Sequence, residues 1–593
     1  MQISRQQHWQ FLEDELKAET EEFNKKFLTT AISLLQNSEE MYVGQLVSFR
    51  GGEMIVKLAN TRALPRKGEF LECMLLPQQL RNYRNWGELT YRDLYKQRYI
   101  STDSVCIWHS AANDKQFSLV GFNRVSVDFA EAVSEAPGVI LVFAPQRPPI
   151  DYSLNLQRLT KDTQSKGVAD VLDMNYSGHD WEPIPVKSKD TADFVYNQLN
   201  LCDSMILQGP PGTGKTYMIA SLCAKLCSEG KSVLVTALTN RALMEIADKP
   251  AMEKMLNDGK IYKTGLSMDE RTEQPKLTAL KQVMPIPSAL VLSTYYIISG
   301  FAADATLETP FDYVIMDEAS QAILAMFAAS KKLGKKNLWV GDIKQLSPIV
   351  QLNKDRIRIC KYQNLVDGLK VLADNSSLPI YQLTNTFRFG KRGASYMGIF
   401  YNNTLQSRRD VPAFIIQSLR KILHDDGGPT LVYTDMESGN SSPEFAIMLA
   451  AYIVNCIHEE SRKTNIAVLS CMRKSTRDLQ KAIVQNVGSY PNILVDTVAR
   501  IQGLTTDIAI FFIPNVSYIR TADAHLFNVA TSRAKDHSII IADKNILEYP
   551  TIKSDVRAYL TKLSKERSIY IPSQNVRNET KFTEVSHPFI SAI

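Results

Sequence analysis

The sequence predicts an α/β protein, with two tandem parallel-sheet domains behind a helical stalk and a small antiparallel β-barrel. Three observations predict it. From Met205 onward, apolar runs alternate with helical stretches: MILQG, SVLVTAL, ALVLSTY, FDYVIMDE and NLWVGD. A second set with the same rhythm, LPIYQLT, PTLVYTD, NIAVLSC, ILVDTV, DIAIFFIP and HSIIIAD, fills 379–545. Near Met41, the apolar period switches from about 3.6 residues to about two.

The first element is a long amphipathic helix over 5–37, with Trp9, Leu12, Leu16, Phe23, Phe27, Ala31 and Leu34 recurring along one stripe. Residues 1–40 are therefore assigned to a stalk. Val43, Leu46, Val47 and Phe49 precede the turn Arg50-Gly51-Gly52-Glu53, and Met54, Val56 and Leu58 follow it, which predicts a hairpin. Further short runs at 70–76, 104–108, 117–122 and 139–143 extend it to a barrel over 41–145. Helical spacing returns at 152–173, giving a second stalk helix and linker over 146–185. The two sheet domains are placed at 186–375 and 376–567, and 568–593, with its weak periodicity, as a tail able to dock a protein partner.

Composition narrows the class. The 593 residues are 44% hydrophobic and 22% charged, a globular balance with material for several cores. A net charge of +5 on 68 basic and 63 acidic residues suits a phosphate backbone and an ordinary enzyme equally. The eight cysteines form no CxxC pair and have no histidines at zinc spacing, so they are read as reduced and mostly buried, Cys223 and Cys227 included. No apolar stretch is long enough to cross a bilayer, and the first residues carry charges throughout. The expectation is an intracellular, cytoplasmic protein without membrane contact.

Chemistry enters at a strand-to-helix junction. Gly209-Pro210-Pro211-Gly212-Thr213-Gly214-Lys215-Thr216 matches GxxxxGK[ST] in full. Glycines let backbone amides curl around a phosphate at a helix N-terminus, Lys215 adds a cation at the β- and γ-phosphates, and Thr216 supplies a magnesium ligand. About a hundred residues on, the run Phe311 to Met316 delivers Asp317 and Glu318 to the end of a strand, where ligands of open α/β sheets collect. Asp317 is expected to hold Mg2+ and Glu318 to orient and deprotonate the attacking water of an ATP hydrolysis.

The ordered set GPPGTGKT, DEAS, GDIKQLSP, TFRF, VDTVARIQG and NVATSRAK, spread over 190–545, resembles superfamily-1 helicases, and within them the 5′-to-3′ branch typified by the up-frameshift helicase of nonsense-mediated decay. The resemblance implies two RecA-like motor domains that close on ATP. It implies that Gln345 senses the γ-phosphate, that Arg388 and Arg533 reach it from the second motor domain, that Phe387 stacks on the base and that Gly503 borders the nucleotide. The resemblance further implies single-stranded RNA or DNA as partner, gripped by Thr239, Asn240 and Arg241, by Ser293 and Thr294, and by Thr497 and Val498; ordinary helix capping would use the same residue types.

Three positions depart from the pattern: Thr191 or Ala192 stands where the family has an adenine-reading glutamine, Thr505 where it has a glutamate, and Leu346-Ser347 where it has LP. Adenine recognition is less firmly implied than hydrolysis. The motifs also fit an ATP-gated clamp that recruits partners without processive unwinding. In LRNYRNWGELTYRDLYKQRYI, cations interleave with aromatics, but Tyr91, Tyr95 and Tyr99 fall at helical spacing, which favours packing over contact with bases.

Overall fold

The computed structural model describes residues 3–59, 64–65, 68–76, 86–111, 117–134, 139–174, 182–375, 378–436, 443–488, 490–501, 503–514, 524–550 and 552–573. Six antiparallel strands, β1 (Tyr42–Arg50), β2 (Glu53–Ala59), β3 (Phe70–Leu75), β4 (Ile100–Ala111), β5 (Phe117–Asn123) and β6 (Ile140–Pro145), close in the order β1-β2-β5-β4-β3-β6. Alternate side chains such as Met54, Val56, Val120 and Phe122 fill the interior, with Phe122 stacked on Phe143 at 4.3 Å.

The stalk bends where the sequence predicts one continuous helix. Its helix runs Arg5–Phe23, passes through a wider π-type turn at Asn24–Leu28, and resumes only at Ile32–Asn37. A straight stripe from Trp9 to Leu34 is therefore not buried as one seam; Leu34 is 60% exposed. Phe11 and Leu12 instead join the helices Ile150–Thr160 and Lys166–Leu172 in a core against the first parallel sheet. Arg5 with Asp173, and Asp14 with Arg356 and Tyr362, pin the stalk there.

That sheet has nine strands: β7 (Ile184–Pro185), β8 (Ser204–Gln208), β9 (Val233–Ala237), β10 (Ile261–Thr264), β11 (Thr278–Leu280), β12 (Leu290–Thr294), β13 (Phe311–Met316), β14 (Gly334–Gly341) and β15 (Ile380–Gln382). Their order is β11-β10-β12-β9-β13-β14-β8-β15-β7, with parallel pairing throughout. Apolar cores cover both faces. The central strands end together, with Ala237 opposite Thr294, Thr236 opposite Met316 and Gln208 opposite Gly341, so the loops that follow them share one edge.

LPIYQLT, expected to open the second sheet, closes the first. β15 pairs with β8, and a short ribbon of β16 (Asn385–Thr386) and β17 (Gln406–Ser407) stands between the two sheets. The second sheet is wholly parallel in the order β20-β19-β21-β22-β18-β23, built from β18 (Gly428–Thr434), β19 (Ile466–Ser470), β20 (Ile493–Thr497), β21 (Thr506–Phe512), β22 (Ala534–Asp543) and β23 (Ser568–Tyr570). Residues 568–570, read as the start of a tail, are thus an edge strand; the rest of that tail from 574 lies outside the described residues.

Tyr91 is buried on the helix Tyr91–Gln97, where its hydroxyl donates to Glu72. Arg98 and Arg147 each lie 3.6 Å from the ring centre of Tyr95. The helix ends before Tyr99, which is 72% exposed, so the three tyrosines do not share a face. Arg81, Tyr83 and Arg84 lie outside the described residues. All eight cysteines are free, and Cys223 and Cys227 are buried in the first sheet domain. No helix among the described residues is long and apolar enough to cross a membrane.

Candidate active site

β8 is buried at every position and hands the chain to the loop at 209–214, after which the helix Lys215–Ser228 begins. Gly212 and Gly214 take φ of +73° and +80°. A Cβ on Gly212 would lie 2.3 Å from the Cβ of Arg388, so both backbone conformation and space demand glycine there. The Thr213 hydroxyl donates to the Pro210 carbonyl at 2.7 Å, Gly209 N–H to the Gly341 carbonyl at 2.9 Å, and Lys215 Nζ to the Gly209 carbonyl at 2.6 Å. The loop and the first helical turn open on a cavity of about 990 Å³. Amides at a helix N-terminus facing such a space suit an anion.

Glu318 lines the same cavity. Its φ of +54° is left-handed, which costs a non-glycine residue roughly 1–2 kcal/mol. Asp317, just past the end of β13, is buried, and its carboxylate accepts from Glu318 N–H at 2.9 Å. Burial, then the Glu318 charge, push the Asp317 carboxyl up to about 7, against the pull of Lys215. A second positive charge beside Asp317 would relieve that. Among the described residues no cluster of three or more His, Cys, Asp or Glu could cage a metal. The donor set, one carboxylate and the Thr216 hydroxyl, fits magnesium, which keeps waters and phosphate oxygens as most of its ligands.

Gln345 is buried at the rim of the cavity, and its amide donates to Asp342 at 3.0 Å. Sequence reasoning missed Asp342 as a functional residue. It accepts from Gln208 at 2.6 Å and from the Tyr401 hydroxyl at 2.7 Å, while Asn528 donates to that hydroxyl and to the Lys344 carbonyl, both at 2.8 Å. Burial raises the Asp342 carboxyl, with Lys215 opposing. The Gln345 carbonyl also meets Nδ1 of His525. A buried polar hub therefore joins the edge of the first sheet to the helix Ala524–Thr531 of the second sheet domain. The sequence signal was the polar residue placed directly after the apolar run NLWVG.

Arg388 stands at the seam rather than within the second domain. Next to it, Phe387 N–H donates to the Gly212 carbonyl at 2.8 Å and the Thr386 hydroxyl to the Pro211 carbonyl at 3.2 Å. Its guanidinium points the other way, donating to the Ser532 carbonyl at 2.8 Å and the Thr505 hydroxyl at 2.7 Å. Thr505, one of the departures noted in the sequence, is therefore a neutral partner to this arginine. Arg533, 2% exposed, donates to the carbonyls of Val529 at 2.8 Å and Leu504 at 3.2 Å. Burial and then the charge of Arg533 lower Arg388 to about 9; burial lowers Arg533 to about 10, partly offset by Glu318. Phe387, 61% exposed, lines the cavity with Gly503, Thr191 and Ala192.

The residues expected at nucleic acid divide in two. Thr239, Asn240 and Arg241 are exposed at the start of the helix Asn240–Ala247, and Thr294 and Thr497 lie at the ends of β12 and β20. The Thr239 hydroxyl caps its helix by accepting from Ala242 N–H at 3.3 Å. Ser293 and Val498 are fully buried, Ser293 accepting from the Thr264 hydroxyl at 2.7 Å, and neither side chain reaches an open surface. Thr294 is itself buried, at 8% exposure, and Thr497 is half-buried.

Residues 197–351 and 372–545 each match a family profile described as an AAA domain. The chain is 25% identical over 553 residues to the DNA replication ATP-dependent helicase/nuclease DNA2 of Saccharomyces cerevisiae, covering 84% of this chain and 35% of that protein. It is 24% identical over 454 residues to the protein of the same name from Homo sapiens, covering 65% of this chain and 41% of that one. The chain thus spans about a third to two fifths of the length of these curated relatives. Among solved structures, an Arterivirus nonstructural protein 10 helicase with DNA aligns over 74% of this chain and 72% of its own, with 14% identity and a TM-score of 0.35.

Proposed function

We propose that this chain, which carries the paired motor domains of a superfamily-1 helicase, hydrolyses ATP to move along a single strand, 5′ to 3′, as an up-frameshift-like member of that superfamily. The observation that carries the reading is the one cavity lined by Lys215, Thr216, Glu318 and Gln345 from the first domain and by Arg388 and Arg533 held on the second. The names of its relatives favour DNA as the track.

Lys215 and the loop amides bind the β- and γ-phosphates, and Glu318 holds the attacking water and takes its proton. Magnesium held by Thr216 and Asp317 would neutralise charge on the triphosphate oxygens. Arg388 and Arg533 stabilise charge developing on the γ-phosphoryl group; Arg533, bonded to the carbonyls of Val529 and Leu504, approaches and retreats with the second domain, while Arg388, seated against the phosphate loop, reaches the Ser532 carbonyl across the seam. Gln345, through Asp342, Tyr401 and Asn528, ties the γ-phosphate end to the same domain. Closure on ATP and reopening after hydrolysis alternate the grip of Thr239, Asn240 and Arg241 with that of Thr497.

Strand displacement on duplexes carrying a 5′ or a 3′ single-stranded tail, in DNA and in RNA, tests the reading. Unwinding of the 5′-tailed DNA is expected; ATP hydrolysis with no displacement of any substrate would leave only a clamp.

A further inference from the structure

Lys263 lies on β10 with 0% of its surface exposed. Its ammonium donates to Asn240 Oδ1 at 3.0 Å, to Glu270 Oε2 at 2.9 Å, and to the carbonyls of Thr264 at 3.3 Å and Gly265 at 3.5 Å. Glu270, also buried, balances the charge and accepts from Ser267 N–H at 3.0 Å. Burying an ion pair is expensive, and a hydrocarbon side chain of the same length would fill the space without that cost. What the hydrocarbon cannot do is donate to an amide.

An ammonium has only donors, so it fixes which end of the Asn240 amide turns inward: the oxygen faces Lys263, and the NH2 group faces away from it. Asn240 is exposed at the shared edge of the first sheet, between Thr239, whose hydroxyl oxygen accepts from Ala242 N–H as a cap, and Arg241. An outward amide NH2 is a donor, which is what a phosphodiester oxygen accepts. We infer that Lys263 is a positioning residue for the strand grip, locking Asn240 with its NH2 group presented to the nucleic-acid backbone. The inference rests on the reading of 239–241 as strand-facing.

The anchor of this lock is also the seat of the barrel. Glu270 belongs to the helix Met268–Glu273, where Met268 N–H donates to the Val125 carbonyl at 2.8 Å and Asp269 accepts from Arg124 N–H at 2.9 Å. Ser126 and Ser267 form a β-bridge at the same place. One buried ion pair thus connects the barrel's docking site to the orientation of one exposed amide.

The test is binding of a fluorescent oligothymidylate, read by polarisation, with strand-free ATP hydrolysis as control. Lys263→Met with Glu270→Gln removes the pair without stranding a charge. It is expected to weaken the oligonucleotide about tenfold, the scale of one hydrogen bond to a charged group, and to leave strand-free hydrolysis unchanged. Adding Asn240→Ala to that double variant should weaken binding little further, because both changes remove the same contact.

Wild-type affinity in the double variant, or losses that multiply independently, would overturn the inference. If the double variant melts early, Lys263→Gln with Glu270→Gln gives the second measure, since a glutamine amide accepts either end of Asn240; a partial loss supports the lock and wild-type affinity defeats it. Wild-type affinity in both Asn240→Ala and Arg241→Ala would instead remove the strand-facing reading itself, and the inference with it.

Discussion

On either side of the cavity a pair of like charges is crowded together, carboxylates on the first-domain side and arginines on the facing side. On the first-domain wall, Asp317 and Glu318 are adjacent carboxylates, and burial with mutual repulsion brings Asp317 up to about 7. On the facing wall, Arg388 and Arg533 are adjacent cations, pressed down to about 9 and about 10 by burial, with Arg533 adding to the load on Arg388. The walls differ in what relieves them. A cation relieves the carboxylates, an anion relieves the arginines, and a magnesium nucleotide supplies both at once. Each wall is therefore crowded by its own charge, and on the proposed reading a bound magnesium nucleotide would remove both penalties.

Breaking the first wall has the largest expected effect. Lys215→Ala and Glu318→Gln should each bring phosphate release to background while the circular dichroism spectrum is retained; turnover surviving in either variant would reassign that residue. Breaking the second wall comes next. Arg533→Ala is expected to lower kcat about a thousandfold with KM changed far less, as for a cation that acts on the transferring phosphoryl group, and Arg388→Ala to follow in the same direction. Steady-state kinetics separates the two constants.

The smallest effect sharpens the contrast through pH. Because the folded-state value of Asp317 is raised, its stabilising contribution is fully present below the ordinary carboxylate range and is lost as pH rises through about 7. The nucleotide-free protein should therefore melt lower at pH 8 than at pH 6, and Asp317→Asn should flatten that slope by about 2–4 °C for each kcal/mol recovered. The arginine wall gives no matching pH slope: burial disfavours its cations, but a guanidinium stays protonated, so an anion and not a rise in pH relieves them. A melting profile identical in wild type and Asp317→Asn would deny the strain on the first wall.

The long apolar strands were legible because a strand buried on both faces is a continuous apolar run, as in β9, β13 and β21. Short strands were not. Ile380–Gln382 is three residues long, and nothing in LPIYQLT distinguishes a late strand of the first sheet from the start of the second. The stalk's turn at Asn24–Leu28 keeps a helical spacing, so periodicity carried straight through it.

In the site, the phosphate loop and the residues after FDYVIM were readable because their chemistry needs fixed neighbours in sequence. Asp342, Tyr401 and Asn528 act as a group only through space, and Lys263, the lysine of IYKT, gives no sign in sequence that it is buried. The threonine at 505 was visible as a departure; that it takes a hydrogen bond from Arg388 was not.

On the proposed reading, strand binding and ATP hydrolysis are coupled across these two walls. Measuring ATP hydrolysis by the wild-type chain with and without single-stranded oligonucleotides, DNA and RNA of matched sequence, tests it most directly. The account predicts hydrolysis raised about tenfold or more by the strand, corresponding to about 1.4 kcal/mol of coupling, and DNA acting at least as well as RNA. Hydrolysis at the same rate with and without either strand would contradict it.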